Sequence, residues 1–166
     1  MTLSALKRRE LVVMALCSLL HGTSLQPDGS LCDNRSSRAE QDLLMDQCKI
    51  ARRWAIAAVE LAHQILISRT EFKKELDAQS LEIDWKRLGR VEESILLWFL
   101  FSLKRFQAGV KEEVVLEENA SVTEGVRVLI SEAIRLVRKF SSRESAGYVN
   151  VLLDRYCHHR SLLTDS

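Results

Sequence analysis

Proline occurs once in this chain of 166 residues, and glycine six times. A β-sandwich or barrel needs turn signals at intervals of about 8–12 residues, and this chain does not have them. An excess of charge of one sign is also missing. Lysine plus arginine number 24 against 23 aspartates and glutamates, with the basic residues spread out rather than gathered in a patch. That removes the electrostatic footprint of a nucleic-acid binder. Long apolar runs are absent too. The longest, such as ILLWFLF from Ile95 to Phe101, hold seven residues, far short of the roughly 20 that span a bilayer. No phosphate loop, nucleophile elbow or paired-carboxylate pattern occurs. His158 and His159 are adjacent, so on a helix they point about 100° apart, and His63 has no second ligand at i+4. We therefore expect no enzyme, no metal site and no cofactor.

What remains is helix. With 46% hydrophobic residues, one core is affordable, and a single all-α domain is expected. The stretch Asp84 to Phe106 organises it: Leu88, Val91, Ile95 and Trp98 recur at helical spacing, and the ILLWFLF centre is apolar on every side, as in a helix surrounded by others. Upstream, Ser37-Arg38-Ala39-Glu40 reads as a capping box. It opens a helix whose stripe of Leu44, Cys48, Ala51, Ala55, Ala58, Ala62 and Ile65 runs to about Ser68. Residues 70–82, with Phe72, Leu76, Leu81 and Ile83 near them, fit either a short helix or a connection. A second capping box, Ser121-Val122-Thr123-Glu124, opens a helix with Val126, Ile130, Ala133, Val137 and Phe140 inward and Arg127, Arg135 and Arg138 outward. After the polar break SSRES, a last helix over about 146–159 has Tyr148, Val151, Leu152 and Tyr156 as its apolar residues. So short a break implies antiparallel neighbours. The expectation is four principal helices.

The N-terminus has the order of a secretory signal peptide: Lys7-Arg8-Arg9, the apolar Leu11 to Leu20, then HGTS. Residues 1–24 would be the leader, with the small Gly22 and Ser24 at the two key cleavage positions before Leu25, and residues 25–166 the mature domain. The other reading is a first core helix of an intracellular bundle, and Glu10 at the edge of the apolar run favours it. Two N-x-S sequons, at Asn34 and Asn119, use two of only three asparagines. Cys32 and Cys157 lie near the two ends of the expected mature chain. A bridge between them would stabilise it by roughly 4–5 kcal/mol in the chain-entropy model, leaving Cys48 on the apolar stripe. An intracellular chain would keep all its cysteines reduced.

Several short stretches resemble the erythropoietin and thrombopoietin family of four-helix haematopoietic cytokines. They are Cys32-Asp33-Asn34-Arg35 shortly after the expected leader, Trp85-Lys86-Arg87 before the central run, Trp98 within it, the sequon at Asn119, and Val149-Asn150-Val151-Leu152-Leu153-Asp154-Arg155 near the end. The resemblance implies a secreted four-helix bundle of the helical cytokine type that bridges cell-surface receptor ectodomains. It also implies a first cysteine paired with one near the C-terminus, here Cys32 with Cys157, and no membrane insertion of the mature chain. Receptor contacts carry over to Asn150 and Arg155, with Arg35 added as a candidate. An interferon-like cytokine is a neighbouring reading. The rival class is an intracellular α-helical adaptor resembling the apoptosis regulators, with a groove beside ILLWFLF that accepts an amphipathic partner helix.

Overall fold

The computed structural model describes residues 2–21, 34–79, 82–110 and 120–163, with side chains of the second segment given from Arg38 onward. Among the described residues every regular element is a helix: α1 (Ala5–His21), α2 (Asn34–Cys48), α3 (Arg52–Ile67), α4 (Arg69–Ala78), α5 (Arg90–Gln107), α6 (Val122–Phe140) and α7 (Arg143–His159). The all-α class expected from composition is what the chain adopts. The helices fall into two compact units, Met1–Glu71 and Phe72–Ser166.

In the first unit α1 packs on α3 and on α2, and α2 on α3. The expected leader segment is a core element here. Leu11, Val12, Val13, Ala15, Leu16, Leu19 and Leu20 are all buried, and so is Glu10, whose carboxylate lies 3.5 Å from Lys7 Nζ. The guanidinium of Arg8 stacks over the Trp54 ring of α3 at 6.0 Å, and Cys48 Sγ of α2 lies 3.8 Å from Met14 Sδ of α1.

The single long helix expected from Ser37 to Ser68 is two. It starts earlier, at Asn34, so that Ser37 lies inside the first turn rather than capping it, and it breaks after Cys48, where Lys49 takes a left-handed φ of 51°. Ala51, extended, then opens α3. A continuous helix of that length would measure about 48 Å. The break lets Leu44 of α2 and the Ala55, Ala58, Ala62 and Ile65 stripe of α3 be buried in one small unit. The 3 and 4 spacing of Leu44, Cys48, Ala51 and Ala55 persists across the break, which is why the pattern looked continuous.

In the second unit α5 packs on α6 and α7, and α6 on α7. Residues Ile95 to Leu100 are buried without exception, as an all-round apolar helix requires. The stretch once ambiguous resolves as α4, with Phe72 and Leu76 buried. The capping box at Ser121 forms as expected: its hydroxyl accepts from Glu124 N–H at 3.2 Å, and Glu124 Oε2 accepts from Ser121 N–H at 2.6 Å. Only Ser141 and Ser142 separate α6 from α7, and α7 turns back to pack on α6. The helix starts at Arg143, three residues before the position expected, because Ser142 Oγ accepts from Ser145 N–H at 3.0 Å and so caps it.

Candidate functional site

A cleft of about 710 Å3 lies at the N-terminal ends of α5 and α7, with Asp84, Leu88, Gly89, Glu92, Glu144 and Tyr148 in its lining. Its floor is built by local backbone chemistry. Trp85-Lys86-Arg87 does not open a long helix. Asp84 folds it into a turn, accepting from Lys86 N–H through Oδ1 at 3.1 Å and from the Arg87 and Leu88 N–H groups through its carbonyl. Aspartate so placed competes with helix continuation. The Trp85 indole N–H donates to Asp77 at 2.9 Å, and Lys73 Nζ lies 4.6 Å over its ring, so the turn is held to α4. Gly89 then caps α5. A Cβ at this position would collide with Glu92 Oε2, so glycine is what lets that carboxylate fold back over the helix start.

Glu92 is buried and accepts a short hydrogen bond from Ser141 Oγ, which joins the start of α5 to the α6–α7 connection. Burial alone would raise its carboxyl, but hydrogen bonds from Ser141, its own backbone N–H and Ser145 outweigh that and hold it below the usual carboxylate range. Glu82, Asp84 and Glu144 line the cleft with it, against the single basic side chain of Arg87, itself 3.4 Å from Asp84. The cleft is therefore acidic, with Leu88 and the Tyr148 ring as its apolar wall.

Glu75 of α4 holds the other side of this unit. It accepts from Tyr156 Oη at 2.5 Å and lies 2.9 Å from Lys104 Nζ and 3.8 Å from an Arg160 nitrogen, joining α4 to α5 and α7. Burial pushes its carboxyl up, but the Tyr156 and Lys104 hydrogen bonds and the charges of Lys104 and Arg160 prevail, and it titrates below its ordinary value. Burial and the Glu75 carboxylate together push the Tyr156 phenol well up. In the first unit, burial lowers the His63 imidazole, opposed in part by Glu40 and Glu60.

These shifts have signs that predict two acid transitions. Glu75 and Glu92 have depressed folded values, so their contribution is complete above the ordinary carboxyl value near 4.5 and is lost as pH falls through the lower folded values. His63 is also depressed. Its unfolded form takes up a proton first, so the first unit begins to weaken as pH drops below about 6.5. Trp54 lies in the first unit and Trp85 and Trp98 in the second. Single-tryptophan fluorescence should show the Trp54 signal becoming acid-sensitive at higher pH than the Trp98 signal, and His63→Gln should remove the difference.

Asn150 and Arg155 are both exposed on α7, but five residues apart on a helix they point about 140° from one another. Asn150 borders a separate pocket of about 320 Å3 with Ile130, Ile134, Arg135 and Arg138 of α6. Asn34 and Arg35 lie in the first turn of α2, with their side chains outside the described residues. Asn119 and Cys32 lie outside them too, as do Gly22, Ser24 and Leu25 of the expected cleavage site. Cys157 is a fully buried thiol pushed up to about 12 by its burial and by Asp154. The ILLWFLF run lines neither of these two concavities.

Of the apolar residues expected on α7, Leu152 and Tyr156 are buried, whereas Tyr148 and Val151 are its exposed large apolar residues. With Leu152 and Cys157 beside them, Ala146, Val149, Leu153 and Tyr156 form the buried side. Their i, i+3, i+7, i+10 spacing was visible in the sequence and is the better stripe. Among the described residues no group of three histidine, cysteine or acidic side chains could hold a metal ion, and no helix is long and apolar enough to cross a membrane. Compared with protein-family models, with curated proteins and with solved structures, the chain matches none.

Proposed function

We propose that the protein is a non-catalytic helical binding protein that keeps its N-terminal helix, works inside the cell, and accepts an amphipathic helix against the cleft and the exposed side of α7. The observation that carries this reading is the packing of α1. A leader destined for removal needs only an apolar run, whereas α1 contributes seven buried apolar side chains to the first unit and a buried Glu10 paired with Lys7. Removing it would leave the alanine face of α3 bare. Unpartnered Tyr148 and Val151 beside an acidic cleft supply the binding face, since large apolar residues left exposed next to a concavity mark interaction sites.

The exposure of Asn150 and Arg155 favours a second reading. In it the chain is a secreted four-helix cytokine or hormone, glycosylated at Asn34 and Asn119, closed by Cys32 and Cys157, and bridging receptor ectodomains through Arg35, Asn150 and Arg155. One measurement separates the two. When the full chain is expressed in animal cells, the intact mass of the product should be that of the unprocessed, unglycosylated chain, found inside the cells. Recovery from the medium of a glycosylated chain shorter by about 24 residues would overturn the first reading and favour the second.

A further inference from the structure

The exposed side of α7 carries Glu144, Tyr148, Val151 and Arg155, all solvent-facing. Their i, i+4, i+7, i+11 spacing places them within an arc of about 60° over some 16 Å of helix. Tyr148 and Val151 are 45% and 49% exposed, so the centre of this seam is apolar and uncovered while its ends carry opposite charges. The acidic end is reinforced by the cleft, where Glu82, Asp84 and Glu92 accompany Glu144 against Arg87 alone.

We infer that this seam pairs with itself: two copies of the chain associate through antiparallel α7 helices about a two-fold axis passing midway between Tyr148 and Val151. The sequence positions are symmetric about that axis. Glu144 of one copy meets Arg155 of the other, and Tyr148 meets Val151, twice each, which is the self-complementarity that an isologous contact requires. Arg155 of the second copy enters the acidic end of the cleft. A foreign helix would need acid, apolar, apolar and base in the reverse order, and the chain's own α7 is a helix with that pattern. The parallel arrangement would set Glu144 against Glu144 beside an already acidic cleft and is disfavoured by like-charge repulsion. This inference rests on the reading of the α7 face as a binding face, and it adds regulation. A second copy occupies the surface that a partner helix uses, so self-association competes with partner binding.

Sedimentation equilibrium of the full chain over a wide concentration range tests it. The average mass should rise from the 19.0 kDa of one chain toward twice that value, and added salt should weaken the association because the end contacts are exposed charge pairs. Glu144→Arg and Arg155→Glu should each weaken it by at least about tenfold, as should Tyr148→Ala. The double variant Glu144→Arg with Arg155→Glu should recover part of what either single change loses, since the 144–155 pair is restored with its signs exchanged while the other acidic residues of the cleft are unchanged. All three sites are exposed, so melting curves recorded at concentrations low enough to keep every variant monomeric should be unchanged. A chain that stays monomeric overturns the inference, as does association indifferent to the single changes or not even partly recovered by the double change. The processing state of the chain, read by intact mass, is measured separately, so a monomer that is retained and unprocessed defeats self-pairing alone.

Discussion

A chain lacking residues 1–24 should fail to fold its first unit. Six large aliphatic side chains of α1, Leu11, Val12, Val13, Leu16, Leu19 and Leu20, are buried, and α1 packs on both α3 and α2. Burying each such side chain is worth about 1.5–3 kcal/mol. Together they contribute on the order of 10 kcal/mol, comparable with the whole stability of an ordinary domain. Loss of α1 also removes the Arg8 contact with Trp54 and the Met14 contact with Cys48. Trp54 fluorescence should shift to that of a solvated indole, and far-ultraviolet circular dichroism should show loss of helix beyond the deleted residues. The milder Leu16→Ala should cost about 2–5 kcal/mol. A truncated chain with native Trp54 emission and a cooperative melt of the first unit would refute this, and with it the argument that α1 is a permanent core element.

The second large effect is expected at Trp98. It is among the largest fully buried side chains, at 1% exposure in the middle of α5, where its neighbours from Ile95 to Leu100 are equally enclosed. Truncation to alanine removes the apolar contact area and leaves a void that a close-packed interior fills only in part. Trp98→Ala should destabilise the second unit by about 3–5 kcal/mol and lower its melting temperature by more than about 10 °C. Trp98→Phe, which keeps much of the volume, should cost less than half as much. Urea denaturation followed by circular dichroism gives the numbers. A cost below about 1 kcal/mol for the alanine variant would mean that α5 does not carry the core of this unit.

The elements legible in the sequence were those whose signal is local. The Ser121 box works because its two hydrogen bonds close within four residues, and the buried centre of α5 announces itself by being apolar on all sides. The break after Cys48 was hidden because the 3 and 4 spacing of Leu44, Cys48, Ala51 and Ala55 continues through it, and only the need for α2 and α3 to pack on each other shows that the chain must turn. Trp85-Lys86-Arg87 has good helix formers, yet Asp84 captures the backbone and Trp85 is held by α4, a contact between residues eight apart. Which side of α7 stays exposed was hidden because Tyr148 and Val151 are as apolar as the residues that are buried. Burial followed the stripe that α6 could cover.

Composition, periodicity and capping residues alone determined that the described residues are helical, that α5 is enclosed and that Ser121 caps α6. Those outcomes depend on hydrogen bonds and side-chain patterns within a few turns. Tertiary structure decided the rest: two helices in place of one, α1 as core, the meeting of Glu92 with Ser141 and of Glu75 with Tyr156, and which side of α7 stays in water. These depend on groups up to 81 residues apart, whose encounter is set by which apolar faces can be buried together and by which polar groups then need a partner.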